Sequence, residues 1–147
     1  MNHLKAVYSI IVKSSEKVYS QLGRGYTEQI YQKALFHELM TYGFNIDIER
    51  YLNVIYTDSN GLKHILSSNR IDLFIHPNKS YGTGNIILEL KASTKKSIED
   101  VEKTQVKKYF DQLEKENTPV DFGCIINFSQ HAENKIHYWN DLDIVIE

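Results

Sequence analysis

Ile86-Ile87-Leu88-Glu89-Leu90-Lys91 reads as a buried strand that carries a carboxylate and an ammonium two residues apart. Side chains alternate across a strand, so Glu89 and Lys91 share one face while Leu88 and Leu90 share the other. Upstream, Arg70-Ile71-Asp72-Leu73 leads into a second strand-like run, Ile71 to Ile75, that holds one acid, Asp72. Paired as a hairpin, the two runs would bring Asp72 and Glu89 together. Two carboxylates roughly 5 Å apart repel by about 3 kcal/mol at an effective dielectric near 20. A fold would normally avoid that on a buried hairpin. A bound divalent cation reverses the sign of the interaction, and Lys91 offsets the repulsion without one. Two carboxylates and a lysine at the end of a buried sheet therefore suit a divalent metal that works on phosphate esters. The competing reading is a surface ion pair on a solvated strand face. The apolar flanks and the upstream Asp72 bring the two readings level.

Working outward, Leu4, Val7, Tyr8, Ile11, Val18 and Leu22 fall mostly at helical spacing, which predicts a helix over 3–22. Gly23-Arg24-Gly25 breaks it. A second helix is expected from about 27 to 42, with Thr27 as a cap and Gly43 as the stop. Residues 46–57 alternate as a strand, and Asp58-Ser59-Asn60-Gly61 is a strong turn signal. Strands are expected at about 62–67 and 70–76, a polar loop at 76–84, and the acid-bearing strand at 85–92. Ser97, with Asp100 three residues on, could cap a helix that runs to about 117. A buried strand at 121–128 and a last strand at about 142–146 complete the chain. The unit from 85 to 128 is strand–helix–strand, so its strands should be parallel with a right-handed crossover. The expected fold is α/β in the broad sense, an α+β mixed sheet of about four to five strands flanked by helices.

The 147 residues fit one domain with room for a real core, spanning 1–147. At 41% hydrophobic and 24% charged, the composition is that of a soluble globular protein. No apolar run approaches membrane-spanning length, and Met1-Asn2-His3-Leu4-Lys5 lacks the pattern of a secretory signal. Cys124, the single cysteine, excludes an internal disulfide and a cysteine zinc cluster, and it sits in an apolar run as a buried, inert thiol. The six histidines show no metal-type spacing. These features predict an intracellular location, cytoplasmic or nuclear. A net charge of −2 argues against holding nucleic acid by bulk electrostatics. A local patch of Lys91, Lys95, Lys96, Lys103, Lys107 and Lys108 could do so, set against Glu99, Asp100 and Glu102; a solvated helix face is the equal alternative.

Five short motifs then occur in order. Gly25-Tyr26-Thr27-Glu28-Gln29-Ile30-Tyr31 matches G-x-x-E-x-x-Y, and Arg70-Ile71-Asp72-Leu73 matches R-x-D-L. Glu89-Leu90-Lys91-Ala92 matches E-L-K-A, Gln105 and Tyr109 match Q-x-x-x-Y, and Cys124-Ile125-Ile126-Asn127-Phe128 is similar to L-I-N-F. From about Val18 to Ser129 the chain resembles the GxxExxY proteins, which are similar to the PD-(D/E)XK nuclease superfamily. Ile71 stands where that superfamily has proline, and the loop after Asp72 carries an insert near Asn78 to Gly84 that could lie over the site.

The resemblance implies a restriction-endonuclease-like core over about 25–129, an N-terminal helix and a C-terminal strand region at 136–147. It implies a metal-dependent nuclease that hydrolyses phosphodiester bonds, in DNA ahead of RNA, at ends, flaps or branched structures. The alternative it leaves open is a catalytically silent nuclease-fold module that binds nucleic acid or a protein partner. Asp72 and Glu89 would ligate Mg2+ or Mn2+ with the Leu90 carbonyl, and Lys91 would orient or activate the attacking water. Glu28 would be an outer-shell acid, and Gln105 would contact a water or the phosphate. Tyr31, Lys95, Lys96 and Tyr109 would meet the substrate, although Tyr31 and Tyr109 taken alone read as packing residues. A homodimer through the first helix is a further expectation.

Overall fold

The computed structural model describes residues 2–146 of the chain, with side chains from residue 3. Helices α1, Asn2–Leu22, and α2, Glu28–Met40, precede strands β1, Ile46–Thr57, β2, Lys63–Ile75, and β3, Asn85–Lys91. Helix α3, Asp100–Lys115, leads to β4, Val120–Phe128, and β5, Ile136–Asn140. The strands lie in chain order in one five-stranded sheet. Its neighbours are antiparallel except β3 and β4, which run parallel and are joined through α3. This is the mixed α+β sheet of a restriction-endonuclease-like core.

Strand alternation distributes the side chains between two cores. Ile86, Leu88 and Leu90 of β3 pack with α1 and α2 on one face, beside Leu73, Ile75 and Phe122. Ile87, Phe74 and Ile125 pack with Val106, Tyr109 and Leu113 of α3 on the other. Central strands buried on both faces are apolar almost throughout, and Glu89 is the one polar residue among the buried positions of β3. Helix α1 buries Val7, Tyr8, Ile11, Val18 and Tyr19 in the first core. These residues of the first helix, from which a homodimer interface was expected, therefore pack inside the chain. Among the described residues, no helix is long and apolar enough to cross a membrane.

Four expectations are corrected. The segments 62–67 and 70–76 form one strand, Lys63–Ile75, paired along β1. Ser67-Ser68-Asn69 resembles a break but lies in a solvent-exposed stretch, where a strand needs no apolar side chains. Residues 142–146 are not a strand; the last strand is Ile136–Asn140. Asn140 Oδ1 accepts the N–H groups of Leu142 and Ile144 and turns the chain back. Leu142, Ile144 and Ile146 then pack on the α1/α2 core. Ser97 does not cap α3: Glu99 is the N-cap, and its N–H donates to the Glu102 carboxylate at 3.0 Å. The insert near Asn78 to Gly84 folds away from Asp72. Asn78 pairs with Thr83 and Tyr81 stacks on Phe44, at the end where Asn78 Nδ2 donates to the Gly43 carbonyl.

Candidate active site

The β2–β3 ladder pairs Ile75 with Ile86, Phe74 with Ile87 and Leu73 with Leu88, and stops there. At the next level the two strands are joined by crossed side-chain bonds. The Asp72 N–H donates to Glu89 Oε1 at 3.2 Å, and the Leu90 N–H donates to Asp72 Oδ2 at 2.7 Å. The β1–β2 ladder also skips this level, pairing Ile48 with Leu73 and Arg50 with Ile71. Opposite Asp72 stands Glu49, at a φ of 63° that non-glycine residues seldom adopt. The Asp72 carbonyl is met from α2 by Gln32 Nε2 at 2.8 Å. Both backbone polar groups of Asp72 are therefore satisfied by side chains, and the sheet opens where its two acids sit.

A cleft of about 530 Å³ lies over this opening. Asp72, Glu89 and Lys91 line it from the sheet, Gln105 and Tyr109 from α3, and Glu28 from the start of α2. Glu89 is only 6% exposed. Burial, and then the neighbouring Asp72 carboxylate, push its carboxyl up to about 8, against the pull of Lys91 and the Asp72 N–H. Burial raises Asp72 too, with Glu28 adding to the rise while the Leu90 N–H, Arg70 and Lys91 oppose it. The Tyr109 phenol is pushed up to about 12, first by burial and then by Glu89. Its hydroxyl donates to the Arg70 carbonyl at 3.4 Å.

Asp72 and Glu89 each spend one oxygen on a backbone N–H, and no described residue donates a hydrogen bond to Asp72 Oδ1 or Glu89 Oε2. Glu89 is buried, Asp72 is partly so, and the Asp72 charge raises the Glu89 pKa, so the two form a set that a divalent cation relieves. Among the described residues, no three His, Cys, Asp or Glu side chains close a cage. The Asp72 and Glu89 carboxylates are the kind of donors that suit Mg2+, which binds through one or two carboxylates and takes its other ligands from substrate phosphate and water. The donor set fits the implied cation.

Of the residues expected at a site, Glu28, Asp72, Glu89, Lys91, Gln105 and Tyr109 converge on the cleft. Tyr31 does not. It is fully buried, stacks on Phe128 at 4.6 Å and donates its hydroxyl to the Gly23 carbonyl at 2.6 Å. It fastens the bend between α1 and α2. Lys95 is exposed and paired with Glu99, while Lys96 lines a separate hollow with Lys103, Lys135 and Trp139. The lysine patch read from the sequence is thus divided. Sequence reasoning passed over Gln32, Glu49 and Arg70. Gln32 lies one turn beyond Glu28 on the same helix face. Arg70 precedes Asp72 by two and reaches Asp72 Oδ1 at 3.9 Å and Glu49 Oε1 at 3.6 Å. In comparison with known proteins, a family model described as the PD-(D/E)XK nuclease superfamily matches residues 5–138. No curated protein matches the chain.

Proposed function

The chain belongs to the PD-(D/E)XK nuclease superfamily, and on that premise we propose that it is a metal-dependent nuclease that hydrolyses phosphodiester bonds in DNA, at ends, flaps or branched structures. The observation that carries this reading is the crossed Asp72–Glu89 pair, a buried and a partly buried acid set in a gap of the sheet under an open cleft. Asp72 and Glu89, with the Leu90 carbonyl, would hold Mg2+ or Mn2+. The cation, when bound, would supply Lewis-acid polarisation of a phosphoryl oxygen and acidify a water.

The chain's own side chains do the rest. Lys91 shares the Glu89 face, orients the attacking water and offsets charge that develops on the phosphate. Gln105 contributes an uncharged donor from α3. Tyr109 keeps its proton at any physiological pH and so remains a donor. Glu28, at the exposed start of α2, contacts the site through water. Near neutral pH Glu89 holds a proton that it must give up to bind a cation, so loading the site releases a proton.

The test is a cleavage assay on labelled linear, nicked, flapped, branched and single-stranded DNA and RNA, with Mg2+ or Mn2+. Asp72→Asn is the control, because the amide oxygen can still accept the Leu90 N–H. Cleavage that vanishes in the variant supports the reading and identifies the substrate shape. Equal binding by both proteins with no cleavage by either would replace it with a silent binding module.

A further inference from the structure

Strands β1 and β2 continue past the sheet as a two-stranded ribbon. Beyond the level of Leu52 its side chains are largely in solvent, and Ile55, Tyr56, Leu62, Ile65 and Leu66 are all more than half exposed. Across Tyr51 to Asn69 there is one lysine and no arginine. This arm does not attract a phosphate backbone by charge. A two-stranded ribbon is marginal in water by itself, and large exposed apolar surfaces mark contact sites.

At the root of the arm the surface changes character. Tyr51 pairs directly across the ladder with Arg70, so the two side chains share one face, and Tyr51 is 61% exposed. Both residues line the same cleft as Asp72 and Glu89. Arg70 is held from behind by Glu49 and from the side by Asp72, yet its side chain remains half exposed. An aromatic face and a guanidinium, fixed side by side at the mouth of a phosphodiester-cutting cleft, match a nucleotide: base on the ring, phosphate on the cation. The remaining lining opposes bulk phosphate binding, since Glu28, Asp72, Glu89 and Glu102 outnumber Arg70 and Lys91. Duplex binding relies on many cationic phosphate contacts. Single-strand binding instead draws about 1–3 kcal/mol per base from stacking on aromatic faces.

Resting on the nuclease reading, we infer that Tyr51 and Arg70 form a nucleotide clamp, continued by the apolar ribbon, that selects strands with unpaired bases over intact duplex. The test measures binding, so cleavage is not needed. Glu89→Gln protein is titrated against a labelled oligothymidylate and against a duplex of equal length, by fluorescence anisotropy at fixed salt. The single strand should bind at least about tenfold tighter. Tyr51→Ala should weaken it by roughly 10- to 100-fold and spare the duplex, while Tyr51→Phe retains it. Arg70→Gln should weaken it and reduce its salt dependence.

Equal or tighter duplex binding, or single-strand binding indifferent to Tyr51→Ala, overturns the clamp. So does light scattering in which Tyr51→Ala or Ile65→Ser turns a dimer into a monomer, because the ribbon then serves a second copy of the chain. Tyr51-dependent binding by a protein that never cuts would sink the nuclease reading and leave the clamp standing. Cutting of a single strand by Tyr51→Ala at the unaltered rate would do the reverse.

Discussion

Glu89→Gln should remove most of the pH dependence of stability that this chain shows without a cation. In the folded protein the Glu89 carboxyl is raised from 4.5 to about 8. Between those values the folded state keeps a proton that the unfolded chain releases. Stability from this group is therefore complete below about pH 4.5 and is lost as pH rises through 8. At about 1.4 kcal/mol per pKa unit, the loss amounts to at most about 5 kcal/mol. For a domain of this size, that lowers Tm by on the order of 10–20 °C.

Glutamine matches the shape of protonated Glu89, still accepts the Asp72 N–H and does not ionise. It should match the native protein near pH 5 and exceed it by several kcal/mol above pH 8. The assay is urea or thermal unfolding followed by circular dichroism from pH 5 to 9 in chelator, for both proteins. The difference between the two curves isolates the Asp72–Glu89 pair from all other titrations. Saturating Mg2+ or Mn2+ should restore the native protein at high pH and leave Glu89→Gln little changed. Parallel curves for the two proteins, or a native chain that gains stability relative to the variant from pH 5 to 8, would refute the buried-acid account.

Cation affinity, measured by calorimetry with Mn2+, should rise about tenfold per pH unit between pH 6 and 8, since one proton leaves per cation bound; a flat profile would mean that Glu89 is ionised already. Gln32→Ala orphans the buried Asp72 carbonyl and should cost about 1–3 kcal/mol in urea unfolding. It should also weaken the cation by roughly tenfold or more. Tyr31→Phe removes the hydroxyl that meets Gly23 and Gln130 but keeps the stack on Phe128. It should lose about 1–2 kcal/mol of stability and leave any cleavage rate as it was, whereas a residue at the substrate would change the rate. Gly123→Ala would put a methyl 2.8 Å from the Phe110 ring and 2.9 Å from Ile87. It should cost roughly 1–3 kcal/mol or more where α3 crosses β4, read as a lower Tm.

The convergence of Asp72 and Glu89 was legible because it needs only alternation and one hairpin, and both are local rules. The parallel pairing of 85–91 with 120–128 was legible for the same reason, since a helix of α3's length admits little else. The errors fall where burial ceases to govern sequence. The ribbon tolerates Ser67-Ser68-Asn69 because nothing packs there, so its polarity carries no information about strand ends. At the C-terminus, the apolar Leu142, Ile144 and Ile146 resembled a strand, but their spacing serves docking after an Asn140 turn. Tyr31 shows the limit of a motif: its position was readable, but its direction depends on Phe128, 97 residues away in the chain. Glu49's φ and the reach of Gln32 to Asp72 leave no sequence signal beyond the residue types themselves.

The crossed bonds at the end of the β2–β3 ladder also bear on how such a site would age. Both acids serve as fasteners between two strands, so a descendant released from catalysis would still need an acceptor at each position. Apolar replacements would open the sheet. Asparagine at 72 and glutamine at 89 would keep both N–H groups satisfied and remove the repulsion, which makes them the easiest path of decay. A chain that drifts without selection for charge should reach that amide pair early, and gain stability at neutral pH as it does. Two ionisable side chains in this gap are the more expensive choice, and the expense is recovered only when something of opposite charge sits between them.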